Sequence, residues 1–381
     1  KILVYTAAAG IDPAKVLPVV LDAGTSRQSL IDDPLYLGLH HKRIVGAAYD
    51  TFVDRFVRTA EKLFPNLYIH FEDFGRENAA RLLDQYANQF AVYNDDIEGT
   101  GAVTLAAILG ALKISGQKLT DQKFLCFGAG TSGMGIVRQV YEEMLLQGLT
   151  PQEAQDRFYL VDQQGLLFED SDALTPQQNL FTRKRTEFAD SHDLDTLEKV
   201  VKAIHPTILV GCSTVGGAFT ESIVKEMAAH TERPIVFPLS NPTELAEAKA
   251  ADLIAWTEGR ALVATGTASQ EVGYQGVKYQ MGQANNSLVF PGMGLAVTAC
   301  HAKCVSQGML AAAAHALADE VKVENAGASV LPPVTHLQDF TVVLAQKVAQ
   351  RIVEEGVNQK AIADPAQAVL DSQWTAEYKE L

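Results

Sequence analysis

The stretch Phe124-Leu-Cys-Phe-Gly128-Ala-Gly130-Thr-Ser-Gly133-Met-Gly-Ile-Val constrains this chain more than any other. A short apolar run leads into Gly-x-Gly-x-x-Gly and then into an apolar segment of helical spacing, so the glycines fall between a strand and a helix. The first glycine allows the tight turn, the second lets backbone approach a pyrophosphate, and the third lets helix and strand pack closely. The helix N-terminus adds unpaired N–H groups and the positive end of its dipole. Gly128, Gly130, Thr131, Ser132 and Gly133 are therefore candidate dinucleotide contacts. The next strand ends in Asp162, placed to bond a ribose 2′-OH. It lies 34 residues after Gly128 rather than roughly 20, the excess being a long helix and the segment around Pro151. An acid with no adjacent Arg favours NAD over NADP. The plainer reading of Asp162 is a turn or capping residue.

The surroundings continue the pattern. Strands are expected at 124–127, 158–161, 207–210, 235–239 and 261–264, and helices at 134–147, 194–203, 220–230 and 245–256. Such alternation predicts a parallel sheet covered on both faces. Upstream, 16–21 reads as a short buried strand. Phe52, Val53, Phe56, Val57, Ala60 and Leu63 mark an amphipathic helix over 49–63. A strand over 67–71 runs into Glu72-Asp73, a helix follows over 78–86, and a strand over 90–93 ends in Asn94-Asp95-Asp96. Thr100 is the expected cap of a helix over 101–113. From Leu295 onward the chain reads as mostly helical. Boundaries near 97 and 286 give three parts: 1–96, 97–286 and 287–381.

Composition limits the partners. Of 381 residues 47% are hydrophobic, enough for more than one core, which excludes wholesale disorder. Against 31 Lys and Arg stand 46 Asp and Glu, a net charge of −15. Nothing in that balance draws nucleic acid or anionic lipid, so small molecules or metal cations are the expected partners. Four Cys without a Cys-x-x-Cys pair fit a reducing cytoplasm. The longest apolar run, 103–112, is about half a membrane span, so no transmembrane helix is expected. The opening Lys1-Ile-Leu-Val-Tyr-Thr-Ala-Ala-Ala-Gly10 has the outline of a short leader. An apolar, Pro-containing segment follows it, however, and the start reads as a cut through a continuing sequence.

Three acids, Glu72, Asp73 and Asp96, close two expected strands, beside Asp95. Adjacent strands would bring those ends together, and uncompensated carboxylates a few ångström apart repel by roughly several kcal/mol. A hard divalent cation resolves the repulsion, and oxygen-only ligands suit Mg2+ or Mn2+. On spacing alone solvated loop acids are the favoured reading, and the metal reading needs more support than spacing gives. Asn241 in Leu-Ser-Asn-Pro-Thr243, and Asn285 and Asn286 before Phe290-Pro-Gly292, either cap helices or face a ligand. No His-Glu-x-x-His and no Gly-Lys-Ser/Thr phosphate loop occurs, and the nine His show no metal-ligand spacing.

At these residues the chain resembles the malic enzyme family over essentially its whole length. The matching blocks are Lys1–Ile11, Val19-Val-Leu-Asp-Ala-Gly-Thr25, Phe71-Glu-Asp-Phe74, Asn94-Asp-Asp-Ile-Glu-Gly-Thr100, Phe127-Gly-Ala-Gly130, Leu239–Thr243 and Asn285-Asn-Ser-Leu-Val-Phe-Pro-Gly292. Within the family it is most similar to the malolactic enzymes of lactic acid bacteria, through Tyr5–Pro13, Val161-Asp-Gln-Gln-Gly-Leu-Leu-Phe168, Met227–Pro234 and Val330-Leu-Pro-Pro-Val334. The resemblance implies a Rossmann-type NAD domain inserted in a second α/β domain, with a helical C-terminal segment and an N-terminal helical region lying upstream. It implies that Glu72, Asp73 and Asp96 bind Mn2+ or Mg2+, that Lys1 is the general base, and that Asp95 is hydrogen-bonded to it. Asn241, Asn285 and Asn286 would contact L-malate, with Thr100 and Asn241 also on the cofactor side.

The implied reaction oxidises malate at C2 with NAD and removes the distal carboxylate as CO2. A malolactic enzyme then returns the hydride to give L-lactate; a malic enzyme releases pyruvate and NADH. A nucleotide-binding paralogue without activity is the third reading. Glu98, where the family usually has Gln, is its chief motive, together with Thr25-Ser-Arg and Thr265–Glu271, which depart from the pattern. An ionised carboxylate at 98 would alter the charge near the metal. The family's tyrosine acid and malate-gripping arginine would lie upstream of Lys1. A homo-oligomer, dimer or tetramer, is the family expectation.

Overall fold

The computed structural model describes residues 1–75, 77–323 and 325–377. Its first part begins with α1 (Ile2–Ala9), ended by Gly10 in the left-handed conformation, and a long irregular stretch holding the short α2 (Gln28–Ile31). The helical spacing at 52–63 gives α3 (Ala47–Leu63), which buries Tyr49, Val53 and Val57. β1 (Tyr68–Phe71), α4 (Ala79–Tyr86) and β2 (Ala91–Asn94) follow. β1 and β2 pair in parallel with Phe71 opposite Asn94, so the residues after each strand emerge side by side.

The expected strand at 16–21 does not form. The segment is irregular, no strand pairs with it among the described residues, and Leu17 and Val20 are 68% and 90% exposed. An apolar run becomes a strand only where a partner offers backbone hydrogen bonds. The cap of the next helix also differs from expectation. Asp95–Gly99 forms a wide π-helical turn that runs directly into α5 (Thr100–Ser115), and Asn94 caps it by accepting hydrogen bonds from Asp96 N and Ile97 N. Thr100 is thus the first residue of the helix, not its cap. Turn and helix together, Asp95–Ser115, are long and apolar enough to cross a membrane. Yet 78% of the apolar window is buried inside the protein, which marks it as a core helix.

The middle part is the sheet. In chain order come β3 (Phe124–Phe127), α6 (Thr131–Leu146), α7 (Pro151–Gln155), β4 (Phe158–Asp162), β5 (Gly165–Leu166), α8 (Pro176–Asn179), α9 (Leu197–Ile204), β6 (Ile208–Gly211), α10 (Glu221–His230), β7 (Ile235–Pro238), α11 (Ala250–Trp256) and β8 (Leu262–Thr265). A hairpin of β9 (Val272–Tyr274) and β10 (Val277–Tyr279) precedes β11 (Gly282–Gln283). The strand order is β11-β8-β7-β6-β3-β4-β5, parallel except for β5. The chain reverses its direction of travel between β3 and β6, and open α/β sheets bind ligands outside the strand C-termini at such a point.

Alternation along the strands divides the core. Phe124, Cys126, Leu160, Ile208, Val210 and Phe237 pack on one face, and Leu125, Tyr159, Val161, Leu209 and Val236 on the other. The first face is covered partly by α5 and α6, which join a layer made of α12 (Phe290–Cys300), α13 (Gln307–Asp319), α14 (Leu337–Glu354) and α15 (Pro365–Asp371). α1 packs on α12 and α14, so both ends of the chain meet beside β1. The fold is therefore mixed α/β with a Rossmann-type parallel sheet and a helical C-terminal part.

Candidate active site

The parallel β1–β2 pair, the π-helical turn and the start of α1 converge on one spot. Lys1 Nζ contacts both Asp95 Oδ2 and Glu72 Oε2. Asp95 is 1% exposed; besides Lys1, its carboxylate accepts from Tyr93 Oη at 3.1 Å and Asn286 Nδ2 at 3.2 Å. Asn286 Nδ2 also reaches Asp95 O and lies 3.2 Å from Thr100 Oγ1, so the residues just before α12 are tied to the turn before α5. Burial pulls the Lys1 ammonium pKa down, but Asp95 and Glu72 outweigh it and hold the group above its ordinary value.

Glu72, Asp73 and Asp96 each present a carboxylate oxygen within 4.8 Å of the others. Asp73 adopts a left-handed backbone (φ 60°), and its N–H donates to Asp96 Oδ2 at 2.9 Å, which fixes the loop against the turn. Burial, with the charges of Glu72, Asp73 and Asp95, pushes Asp96 above the usual carboxylate range. Glu72 goes the other way: burial raises it, but His70 and Lys1 prevail and lower it. Three oxygen donors this close, one of them disfavoured as an anion by its neighbours, fit a hard divalent cation.

Two residues of the site escaped the sequence reading. His70 Nε2 lies 3.3 Å from Glu72 Oε2, and His70 Nδ1 is 2.6 Å from Tyr5 Oη. With the ring protonated on Nε2, the tyrosine donates to Nδ1 and the ring donates to Glu72. Tyr93 supports Asp95 from below. The available signal was strand alternation: Tyr68 and His70 share one side of β1, ahead of the acids.

The glycine loop is built as its spacing implies. Gly128 has φ 95°, and a Cβ there would come within 2.6 Å of the Cys212 and Ser213 backbone at the end of β6. A Cβ on Gly133 would strike Gly128 O, whereas one on Gly130 would meet nothing within 4 Å. Free space over Gly130, at the N-terminus of the 16-residue α6 that carries Thr131 and Ser132, is what an approaching pyrophosphate requires. Asp162 ends β4 beside this loop, where Val161 O accepts from Gly128 N. Its Oδ1 also accepts from Gln163 N at 2.9 Å. One buried carboxylate organises the neighbouring loops. Glu247 Oε1 accepts from Ser213 N, Ser213 Oγ and Ser240 Oγ, holding the ends of β6 and β7 together.

Not every candidate joins these clusters. Asn241 is exposed after β7 and makes no hydrogen bond to another candidate among the described residues. Asn285 turns its side chain to accept from Ser287 N, the capping role that spacing left open. Glu98 is buried and accepts from Asn94 N at 2.8 Å; burial pushes its carboxyl up to about 8, against the pull of that hydrogen bond, and so favours the uncharged form at pH 7.

Known proteins resemble this chain in sequence and in fold. Residues 97–353 match the family described as Malic enzyme, NAD binding domain, and residues 1–87 match Malic enzyme, N-terminal domain. The Malolactic enzyme of Lactiplantibacillus plantarum is 56% identical over 381 residues, all of this chain and 70% of that protein. NAD-dependent malic enzyme 3 of Bacillus subtilis is 48% identical, over all of this chain and 68% of that protein. The solved malic enzyme of Entamoeba histolytica superposes with a TM-score of 0.73 at 21% identity, over 97% of this chain and 67% of that one, and so shares its fold. By its matches to both domain families and its identity to malolactic and malic enzymes across its whole length, the chain belongs to the malic enzyme family.

Proposed function

We propose that this chain is a malolactic enzyme, converting L-malate to L-lactate and CO2 with NAD and a divalent cation, Mn2+ or Mg2+. The observation that carries the reading is Lys1 held between Asp95 and Glu72, beside three mutually close carboxylates. Identity of 56% to a malolactic enzyme across the whole chain supports the same product.

In this reading Glu72, Asp73 and Asp96 hold the cation, and the glycine loop with Asp162, Thr100 and Asn241 holds NAD. When bound, the cation polarises the C2 oxygen, and its positive charge opposes that of the Lys1 ammonium and favours the neutral amine, while NAD takes up and returns a hydride. Lys1 Nζ accepts the C2 hydroxyl proton and gives it back to the same oxygen on the return step. Asp95 keeps the amine aimed, since its own carboxylate is fixed by Tyr93 and Asn286. Asn285 and Asn286 bind malate, Asn285 through its Nδ2 because its Oδ1 is taken by Ser287 N. Between the two proton movements the C3–C4 bond breaks, CO2 leaves and C3 takes up one proton; because the hydride removed from C2 is returned to C2, reactant and product differ by no net redox change.

The domain division 1–96, 97–286 and 287–381 and a homo-oligomeric assembly belong to the same proposal. The exposed apolar side chains Leu17, Val20, Leu35 and Leu37 support the assembly. The test mixes malate, NAD+ and Mn2+ and follows the NADH absorbance alongside lactate. Lactate without accumulating NADH is expected; NADH equal to malate consumed, with no lactate, would make the protein a malic enzyme instead.

A further inference from the structure

The crossover from β5 to α9 carries one short helix, α8, and that helix reaches the glycine loop. Gln178 on α8 is 5% exposed, and its Nε2 donates at 2.8 Å to the carbonyl of Ala129, the residue between Gly128 and Gly130. Its Oε1 accepts from Thr175 N at 2.9 Å. The amide can stand only this way round, because one partner is a donor and the other an acceptor. We propose that Gln178 is a positioning residue for NAD: it fixes the Ala129–Gly130 peptide so that Gly130 N–H faces the pyrophosphate. The inference rests on the reading that the glycine loop holds NAD.

This is the peptide of the loop that most needs a lock. Gly130 has no β-carbon, and nothing lies within 4 Å of where one would stand. The space that admits a phosphate also leaves the peptide plane free to turn over. The bond is trans, so its C=O and N–H point in opposite directions. With Ala129 O drawn inward to a buried amide, Gly130 N–H points away from the core, at the half-exposed edge of the loop. Among the described residues Gly130 N donates to no other group. It joins the N–H groups of Thr131, Ser132 and Gly133, which lie in the first turn of α6 and have no acceptor within that helix. A peptide turned over would present a carbonyl oxygen to the phosphates instead.

The lock is itself anchored. Thr175 and Gln178 form a capping box, in which Gln178 N donates to Thr175 Oγ1 at 3.2 Å. Just beyond α8, the buried Phe181 packs on Tyr141 of α6 and Phe158 of β4, with ring centroids 5.3 and 5.2 Å away. Gln178 is thus held against the helix that the loop opens and the strand beside it. A methionine at 178 would fill similar space but leave Ala129 O buried without a donor. A glutamate would keep the Thr175 contact and turn an acceptor toward that carbonyl.

The experiment measures binding of NAD+, ADP and adenosine to the unaltered protein, Gln178→Met and Gln178→Glu, at a temperature below every Tm. NAD+ and ADP carry the pyrophosphate; adenosine does not. Gln178→Met should bind NAD+ and ADP about tenfold more weakly, the worth of one orienting hydrogen bond, and adenosine as well as before. Gln178→Glu should lose at least as much for the two pyrophosphates, so either variant decides the matter if the other fails to fold. Equal NAD+ affinity in the variants and the unaltered protein would overturn the proposal. So would a matching loss for adenosine, which would make Gln178 a support of the whole domain. An unaltered protein that binds no NAD+ would instead remove the NAD reading, and this inference with it.

Discussion

Lys1 draws its role from its neighbours rather than from its place in the chain. As the first residue it reads as a solvated end, yet it is paired with Glu72 and a nearly inaccessible Asp95. Replacing Lys1 with Ala should lower kcat by about 100- to 10,000-fold, the usual worth of a positioned base. NAD affinity measured by calorimetry should not change, since the glycine loop belongs to other elements; a parallel loss of NAD binding would remove Lys1 from the proton path. Glu98 makes the opposite case. Its acceptor oxygen faces Asn94 N, and a glutamine carbonyl can take that hydrogen bond equally well. Glu98→Gln should therefore keep kcat and Tm near their original values, and a large fall in either would give the carboxyl a role of its own. The acids of this site were legible as strand-end residues. His70 and Tyr93 were not, because only their pairing with Glu72 and Asp95 distinguishes them from ordinary strand residues.

Among the elements, the π-helical turn Asp95–Gly99 matters most. It joins β2 to α5, and its width sends Asp95 toward Lys1 and Asp96 toward Asp73. Asn94, fully buried, holds the turn through Asp96 N at 3.0 Å and Ile97 N at 3.2 Å. Asn94→Ala should destabilise the protein by about 1–2 kcal/mol, as the loss of a helix cap does. Mn2+ affinity should fall by more than the Tm change accounts for, because Asp96 loses its anchor; unchanged Mn2+ affinity would detach the turn from the metal site. The sequence placed a cap at Thr100, one turn too late. Asp-Asp-Ile-Glu-Gly has no apolar period to announce a helical turn, and short wide turns arise from tertiary demands. The failed strand at 16–21 has a related cause, since composition cannot supply a pairing partner.

At the scale of the whole molecule, polar contacts join the C-terminal helices to the helices that cover the sheet. One is His315 on α13, whose Nε2 lies 2.9 Å from Oε1 of the buried Glu143 on α6. The hydrogen bond to Glu143 raises the His315 pKa above its ordinary value. A raised folded-state pKa means the pair contributes fully below the unfolded value of about 6.5 and fades as pH climbs through the folded one. His315→Gln should thus cost about 1 kcal/mol near pH 5.5, a modest figure because the ring is half-exposed. That cost should shrink toward zero by about pH 9. Thermal melts at the two pH values decide it; a cost that does not depend on pH would mean packing, not charge.

The sequence by itself determined the family, the Rossmann-type sheet and the identity of the acids. The sheet follows from local physics, since a glycine turn needs its spacing and buried parallel strands need apolar runs between helices; the family follows from its matching blocks, and spacing placed the acids at strand ends without giving them a role. Tertiary structure decided the rest. It seated Lys1 against residues more than seventy positions away, turned Asn286 into a bridge between Asp95 and Thr100, and gave Asn285 a capping role. It also buried Glu98, raising its carboxyl pKa, and brought His205 to Glu226 and His230. These outcomes depend on distances between separate elements, and distances between elements are set by packing, which spacing along the chain does not encode.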